Sequence, residues 1–179
     1  MGATISCAQF IKSSLETLTQ AFNIKTDPTM IKEIEKLKVN ELEKLVFNPM
    51  VKHQTSGHPE ILRIENDAEF TRIDFIYYTC SYYENGGWVQ MSERTFIRPV
   101  GSKLKLKLLK AVNIPIAPTK HWFKTTKDIL CYTLYFPPVP NGTKVIDIIE
   151  KECANDDTWF NFYAVSMESI RKEKLIVGN

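Results

Sequence analysis

Side chains that could do chemistry are few in this chain and poorly grouped. It has three histidines, His53, His58 and His121. His53 and His58 flank "QTSG" in a turn-rich linker, so a two-histidine metal site there would need an acidic third ligand that the sequence does not indicate. Solvated linker side chains are the simpler reading. His121 follows Pro118 and precedes Trp122, where a structural hydrogen bond to backbone competes with a general-base role. The chain contains no G-x-S-x-G elbow, P-loop, G-x-G-x-x-G fingerprint or H-E-x-x-H pair, so no catalytic residue and no cofactor are predicted.

The carboxylates tell a similar story. Asp147 and Glu150 stand three apart in an apolar run read as a strand, which points them to opposite faces and rules out a direct acid/base pair. Turned inward, either would accept hydrogen bonds from turn backbone or pair with a basic side chain. A hydrolase-like site would have to gather His121, Ser92 and one of these two carboxylates in one pocket. The loop "ECANDDTW" offers hard oxygen ligands from Glu152, Asp156 and Asp157, with Asn155 beside them, for a calcium ion at a sheet edge. Its spacing matches no fixed calcium loop, and an ordinary Asx-rich turn is the competing reading.

Aromatic residues are more concentrated. In "YYTCSYYENGGWVQM", Tyr77 to Met91, two strands joined by a loop would bring Tyr82, Tyr83 and Trp88 close to the tip. Exposed aromatic faces bind sugar rings or a protein partner, because they bury much area at little entropic cost. Alternation exposes either Tyr77 or Tyr78 and buries the other. The competing reading makes Trp88 a core anchor.

Charge and cysteine usage set outer bounds. The 23 basic and 21 acidic residues leave a net charge of +2, too small to imply nucleic acid or an anionic membrane as partner. "SKLKLKLLK", Ser102 to Lys110, alternates Lys103, Lys105 and Lys107 with leucines, as on a solvated strand face that discourages edge pairing. Cys7, Cys80, Cys131 and Cys153 include no C-x-x-C and no metal-ligand spacing, so they read as small core hydrophobes in a reducing compartment, with one or two disulfides left open. No apolar run reaches the ~20 residues needed to span a bilayer. The expected location of the chain as given is therefore cytoplasmic, or the cell envelope if a signal peptide was removed. "MGATIS" fits the loose myristoylation pattern, with Cys7 as a second acylation point, but so short a pattern also arises by chance.

The positioning elements fall into two rhythms. Cys7, Phe10, Ile11, Leu15, Leu18 and Phe22 recur at helical spacing, and Asp27-Pro28 begins a second helix whose apolar stripe runs from Met30 through Leu45 and Val46 to a stop at Asn48-Pro49. From Thr55 the period drops to two. Strands are expected at Glu60–Glu65, Glu69–Cys80, Gly87–Met91, Thr95–Arg98, Lys103–Leu108, Ile129–Phe136, Lys144–Ile149 and Trp159–Ser166, separated by Gly, Pro and Asn clusters. Within them Thr71, Ile73, Phe75 and Tyr77 share a face. Pro137, Pro138 and Pro140 cannot donate to a ladder, so the strand ending at Phe136 must leave its sheet, and Asn141-Gly142 supplies the turn into the next. These features predict N-terminal amphipathic helices over 1–54 and, over 55–179, an antiparallel two-sheet, immunoglobulin-like β-sandwich of about eight strands.

As a whole, Gly87 to Met167 resembles a β-sandwich domain family without an assigned activity that recurs in proteins of Bacteroides-like bacteria. The resemblance is carried by "GGWVQMSERTFIRP", "AVNIPIAPTKHWF", "YTLYFPPVPNGTKVIDIIE" and "WFNFYAVSM". On its pattern fall Trp88, Ser92, Thr95, Phe96 and Ile97; Ile114, Pro115, Pro118 and His121; Thr133 to Pro140; Ile146, Asp147, Ile149 and Glu150; and Phe160 to Val165. Some relatives carry a thioredoxin-like domain after the sandwich and sit in the cell envelope. This chain has no C-x-x-C and no lipoprotein signal before Cys7, and it ends at Asn179, so the disulfide-reductase association does not carry over. The resemblance implies the fold and no reaction. The expected function is a non-enzymatic binding or accessory domain, with another protein as partner ahead of carbohydrate, and an enzyme with an unrecognised site as the remaining alternative.

Overall fold

The computed structural model describes residues 45–79, 86–153 and 158–168. Twelve strands lie within them: β1 Leu45–Phe47, β2 Val51–Gln54, β3 Pro59–Asn66, β4 Thr71–Tyr78, β5 Trp88–Val89, β6 Phe96–Pro99, β7 Leu106–Lys107, β8 Lys110–Val112, β9 His121–Trp122, β10 Ile129–Phe136, β11 Val145–Ile149 and β12 Phe162–Ser166. No helix occurs among the described residues. By internal contacts the chain divides into Met1–Leu42 and Glu43–Asn179, and every described strand belongs to the second unit.

The first five-stranded sheet is ordered β1-β3-β4-β10-β8 and the second β2-β12-β11-β6-β7, with β5 and β9 forming a separate ribbon. Every pairing between the named strands is antiparallel. Alternation determines what each sheet buries. On β4, Thr71, Ile73, Phe75 and Tyr77 are buried as expected, while Tyr78 is exposed. Opposite them on β10 stand Phe136, Leu134, Tyr132 and Leu130, also buried. The second sheet contributes Ile97, Ile146, Ile148, Phe162 and Val165 to the same apolar cluster. Phe75 joins the two, stacked on Tyr132 at 4.8 Å and 5.6 Å from the Phe162 ring.

Three stretches depart from strict alternation, each for a local reason. Ile61 and Ile64 are three apart yet both buried, because a bulge between Ile61 and Arg63 shifts the β3–β4 register by one residue. On β12, Ala164 sits at φ +52° where the register with β11 shifts. Its N–H, out of step with the ladder, donates to Asp147 Oδ1 at 2.9 Å, and Asp147 Oδ2 takes the Arg98 guanidinium at 3.0 Å. Asp147 thus lies on the face opposite the core residues Ile146 and Ile148, where it binds both a backbone N–H and a basic side chain.

The third is the proline segment. β10 lies in the first sheet and β11 in the second, so the chain changes sheets between Phe136 and Val145, as its prolines predict. Val139 is buried in the core, and its backbone is clamped by Asn66, whose Oδ1 accepts Val139 N–H at 3.0 Å while Nδ2 donates to Val139 O at 3.2 Å. Thr143 N–H closes the turn onto Pro140 O, with Gly142 at φ +81°. Asn141 does not share that positive φ.

The sheet edges are joined in the same manner. Asn48 N–H bonds Leu62 O in the first sheet, and Met50 O accepts Ser166 N–H in the second, so β1 and β2 turn one edge. Leu108 N–H bonds Thr95 O and Leu109 N–H bonds Tyr135 O, so β7 and β8 turn the other. Leu45 and Val46, placed by spacing on the helical stripe, are therefore strand residues, and the β region begins before Thr55. The rest of the two expected helices lies outside the described residues. All eight expected strands are present, most of them shortened, and β1, β2, β8 and β9 add to the expected number.

Replacing Asp147 by Ala strands the Ala164 N–H and the Arg98 guanidinium. We expect a loss of about 2 kcal/mol in urea unfolding, with Ala164→Gly in the same background recovering part of it by relieving the left-handed backbone.

Candidate functional site

Trp88 and Trp122 stand opposite each other across the β5–β9 ribbon. Their neighbours Val89 and Phe123 are buried and anchor the ribbon to the core cluster, so alternation turns both indoles outward. Trp122 is 64% exposed and Trp88 40%. The ring centroids are 6.4 Å apart, with the planes at 57°. Lys120 reaches over both, its Nζ 3.8 Å from the Trp88 centroid and 5.5 Å from that of Trp122. Cation–π attraction of about 0.5–1 kcal/mol at exposed sites holds the ammonium there without desolvating it.

The ribbon is held rigidly from behind. Phe123 N–H donates to Gly87 O at 2.9 Å, and its ring stacks on Tyr77 at 5.4 Å. Gly86, at φ +76°, passes so close to Thr125 that a Cβ would lie 2.1 Å from the Thr125 carbonyl oxygen. Asp128 fixes the following loop by accepting from Thr125 Oγ1 and from the Lys124 and Thr125 amides, which lowers its carboxyl below the ordinary range. Lys120, Lys124 and Lys127 are exposed and form no close ion pair among the described residues, although Lys124 lies near enough to Asp128 to help lower its carboxyl.

The chain matches no family model, and comparison with curated proteins and with solved structures finds no significant match.

Of the aromatic candidates, Trp88 lies on this ribbon, whereas Tyr82 and Tyr83 lie outside the described residues. The two strands expected between Tyr77 and Met91 are the end of β4 and β5, which lie in different sheets: β4 pairs with β3 and β10, and β5 pairs with β9. Sequence reasoning therefore missed Trp122, whose place beside Trp88 depends on that long-range pairing.

Among the calcium-loop candidates, Asp156 and Asp157 lie outside the described residues. Glu152 gives its Oε1 to Lys105 Nζ at 2.5 Å, an ion pair exposed on both sides. No group of three or more potential metal ligands occurs among the described residues. His53 lies in β2 rather than in a linker and stacks on Tyr163 at 5.7 Å, while His58 tilts over Tyr77. His121 meets the Phe123 ring edge-on at 4.9 Å.

Ser92 and Glu150 do meet, but as structure. Glu150 Oε1 accepts the Ser92 backbone N–H at 2.9 Å and Oε2 accepts that of Phe160 at 2.8 Å, while Ser92 Oγ accepts from Arg94 N–H. No described contact joins the Ser92 hydroxyl to a base. Asn161 completes the knot by accepting Glu150 N–H at 2.8 Å. A depression of about 370 Å³ between Asn66, Asp67, Pro140, Gly142 and Met167 is likewise spoken for, since Asn66 is spent on Val139.

Burial raises the Glu150 carboxyl, with the Phe160 and Ser92 amides opposing the shift. The nearby Tyr132 hydroxyl is fully buried without a hydrogen-bond partner among the described residues, and burial together with the Glu150 charge pushes it well above the usual phenol range. Because the folded state holds the Glu150 proton more tightly than the unfolded chain, this contribution to stability is complete below the ordinary glutamate range near ~4.3 and is lost as pH rises through the raised value. In urea unfolding at a series of pH values, wild type should lose stability relative to Glu150→Gln as pH rises above the ordinary glutamate range. A gain over that rise would contradict the assignment.

Proposed function

We propose that this chain is a non-enzymatic binding domain, an immunoglobulin-like two-sheet sandwich that engages another protein through the Trp88–Trp122 ribbon. The observation that carries this reading is the pair of exposed indoles on a backbone fixed by buried neighbours. A fully open aromatic side chain buries roughly 150–250 Å² on docking, and with 64% of Trp122 and 40% of Trp88 still exposed the pair offers a large apolar area at small cost in rotamer entropy, the profile of an interface anchor. Two five-stranded sheets sharing one core support the sandwich, and the motif segments between Gly87 and Met167 support its kinship with the β-sandwich family they resemble.

A protein partner fits better than a sugar. A sugar platform wants an open, coplanar strip, whereas these rings stand at 57° and Lys120 covers one face of Trp88. Peptide display on the wild-type chain should enrich binders that a Trp88→Ala/Trp122→Ala variant of unchanged thermal stability fails to retain. A glycan-array signal lost in the same variant, with peptide display flat, would transfer the ribbon to carbohydrate.

Cys131 is disulfide-bonded while Cys153 is free and exposed. Such a bond persists in oxidising surroundings, which supports placing the working protein in the cell envelope rather than among reduced thiols. No helix among the described residues is long and apolar enough to cross a membrane. Alkylation of the natively expressed protein before reduction should label Cys153 and spare Cys131; labelling of both would return the chain to a reducing compartment.

A further inference from the structure

Resting on the ribbon as a binding surface, we infer the chemistry of its partner: an acidic protein segment, in which carboxylates flank an aromatic or long apolar side chain. Lys120 carries the argument. Its ammonium lies between the two indoles yet makes no ion pair among the described residues, so the cation sits at the centre of the apolar contact area rather than at its rim. A charge at that position must be answered by the partner, because docking an uncharged surface would desolvate the ammonium without compensation.

The surroundings have the same sign. Lys124 and Lys127 follow Trp122 on the next loop, both exposed and in no close ion pair among the described residues, with Asp128 answering part of the Lys124 charge. Among the described residues of this loop the carboxylate is Asp128, which accepts from three donors of the same loop. The net charge of the whole chain is only +2, so this local excess is a property of the patch. A carboxylate on the partner would meet Lys120 while its apolar neighbour covers Trp122, the more open ring.

Isothermal titration with a glutamate-rich copolymer of glutamate and tyrosine tests this, with a lysine–tyrosine copolymer and heparin as controls. The acidic copolymer should bind wild type, weaken about tenfold or more between about 50 mM and 500 mM salt, and weaken to a similar degree in Lys120→Glu and Trp122→Ala. Lys103→Glu, a charge reversal outside the ribbon, should bind as wild type does. Equal losses in Lys103→Glu and Lys120→Glu would reduce the effect to overall charge and overturn the proposal. Absence of acidic-copolymer binding, preference for the basic copolymer, or heparin binding that survives Trp122→Ala would also overturn it. In each of these cases the ribbon reading still stands or falls by peptide display with the double tryptophan variant. Thermal melts keep misfolding of a variant from being read as lost affinity.

Discussion

The fold turns on the contact between Phe75 and its two aromatic neighbours, Tyr132 in its own sheet and Phe162 in the other. Neither sheet is stable alone, because each leaves a full apolar face to water. Stacking Phe75 on Tyr132 at 4.8 Å fixes the β4–β10 register, and the tilted Phe162 ring sets where the second sheet meets the first. A slip of one residue between β4 and β10 would turn Phe75 or Tyr132 outward and put Asp74 or Thr133 in the core. Those two are instead paired on the opposite face, where Asp74 accepts Thr133 Oγ1 and the Arg63 and Arg72 guanidinium groups.

Joining two sheets with one chain interrupts the backbone ladder, and the buried polar residues stand at the interruptions. Asn66 holds Val139 where the prolines cross, Asp147 holds Ala164 at the β12 irregularity, and Glu150 with Asn161 holds the β11–β12 connection. Each is a side chain standing in for a missing strand partner, since an unpaired buried amide costs about 1–3 kcal/mol. This explains why carboxylates and amides with the residue types of a catalytic site are structural here. Their acceptor oxygens are already committed to backbone N–H groups of the same molecule or, for Asp147 Oδ2, to the Arg98 guanidinium.

What could be read from sequence follows from range. The eight expected strands, the shared face of Thr71, Ile73, Phe75 and Tyr77 and the departure at Pro137 depend on neighbours two to four residues away, and period and turn chemistry carry that information, whereas alternation leaves open which of Tyr77 and Tyr78 turns inward. β1, β8 and β9 are two or three residues long, too short to show a period, and β9 follows a stretch whose prolines read as breakers. Leu45 and Val46 extend a helical spacing by coincidence, and only the crossing at Asn48 shows that they pair with β3. The candidate site was half legible for the same reason. Trp88 stood out by local composition, whereas Trp122 acquires meaning only through a pairing between residues far apart in the chain.

Exposure alone does not single out the ribbon, for Phe47, Met50 and Leu109 are about as open as Trp122. Those three, however, sit at or beside the turns where β1 passes to β2 and β7 to β8, and the geometry of a tight crossing leaves no inward position for every side chain. Trp88 and Trp122 have no such constraint: they occupy regular, paired strand positions at which a Thr or Lys would fit the pleat equally well. The chain places two of its three tryptophans there, side by side, on a backbone held by Gly86, Phe123 and Asp128. Rigid, pre-exposed aromatic area lowers the ordering cost of association. That combination distinguishes a surface built for contact from the incidental exposure at the sheet edges.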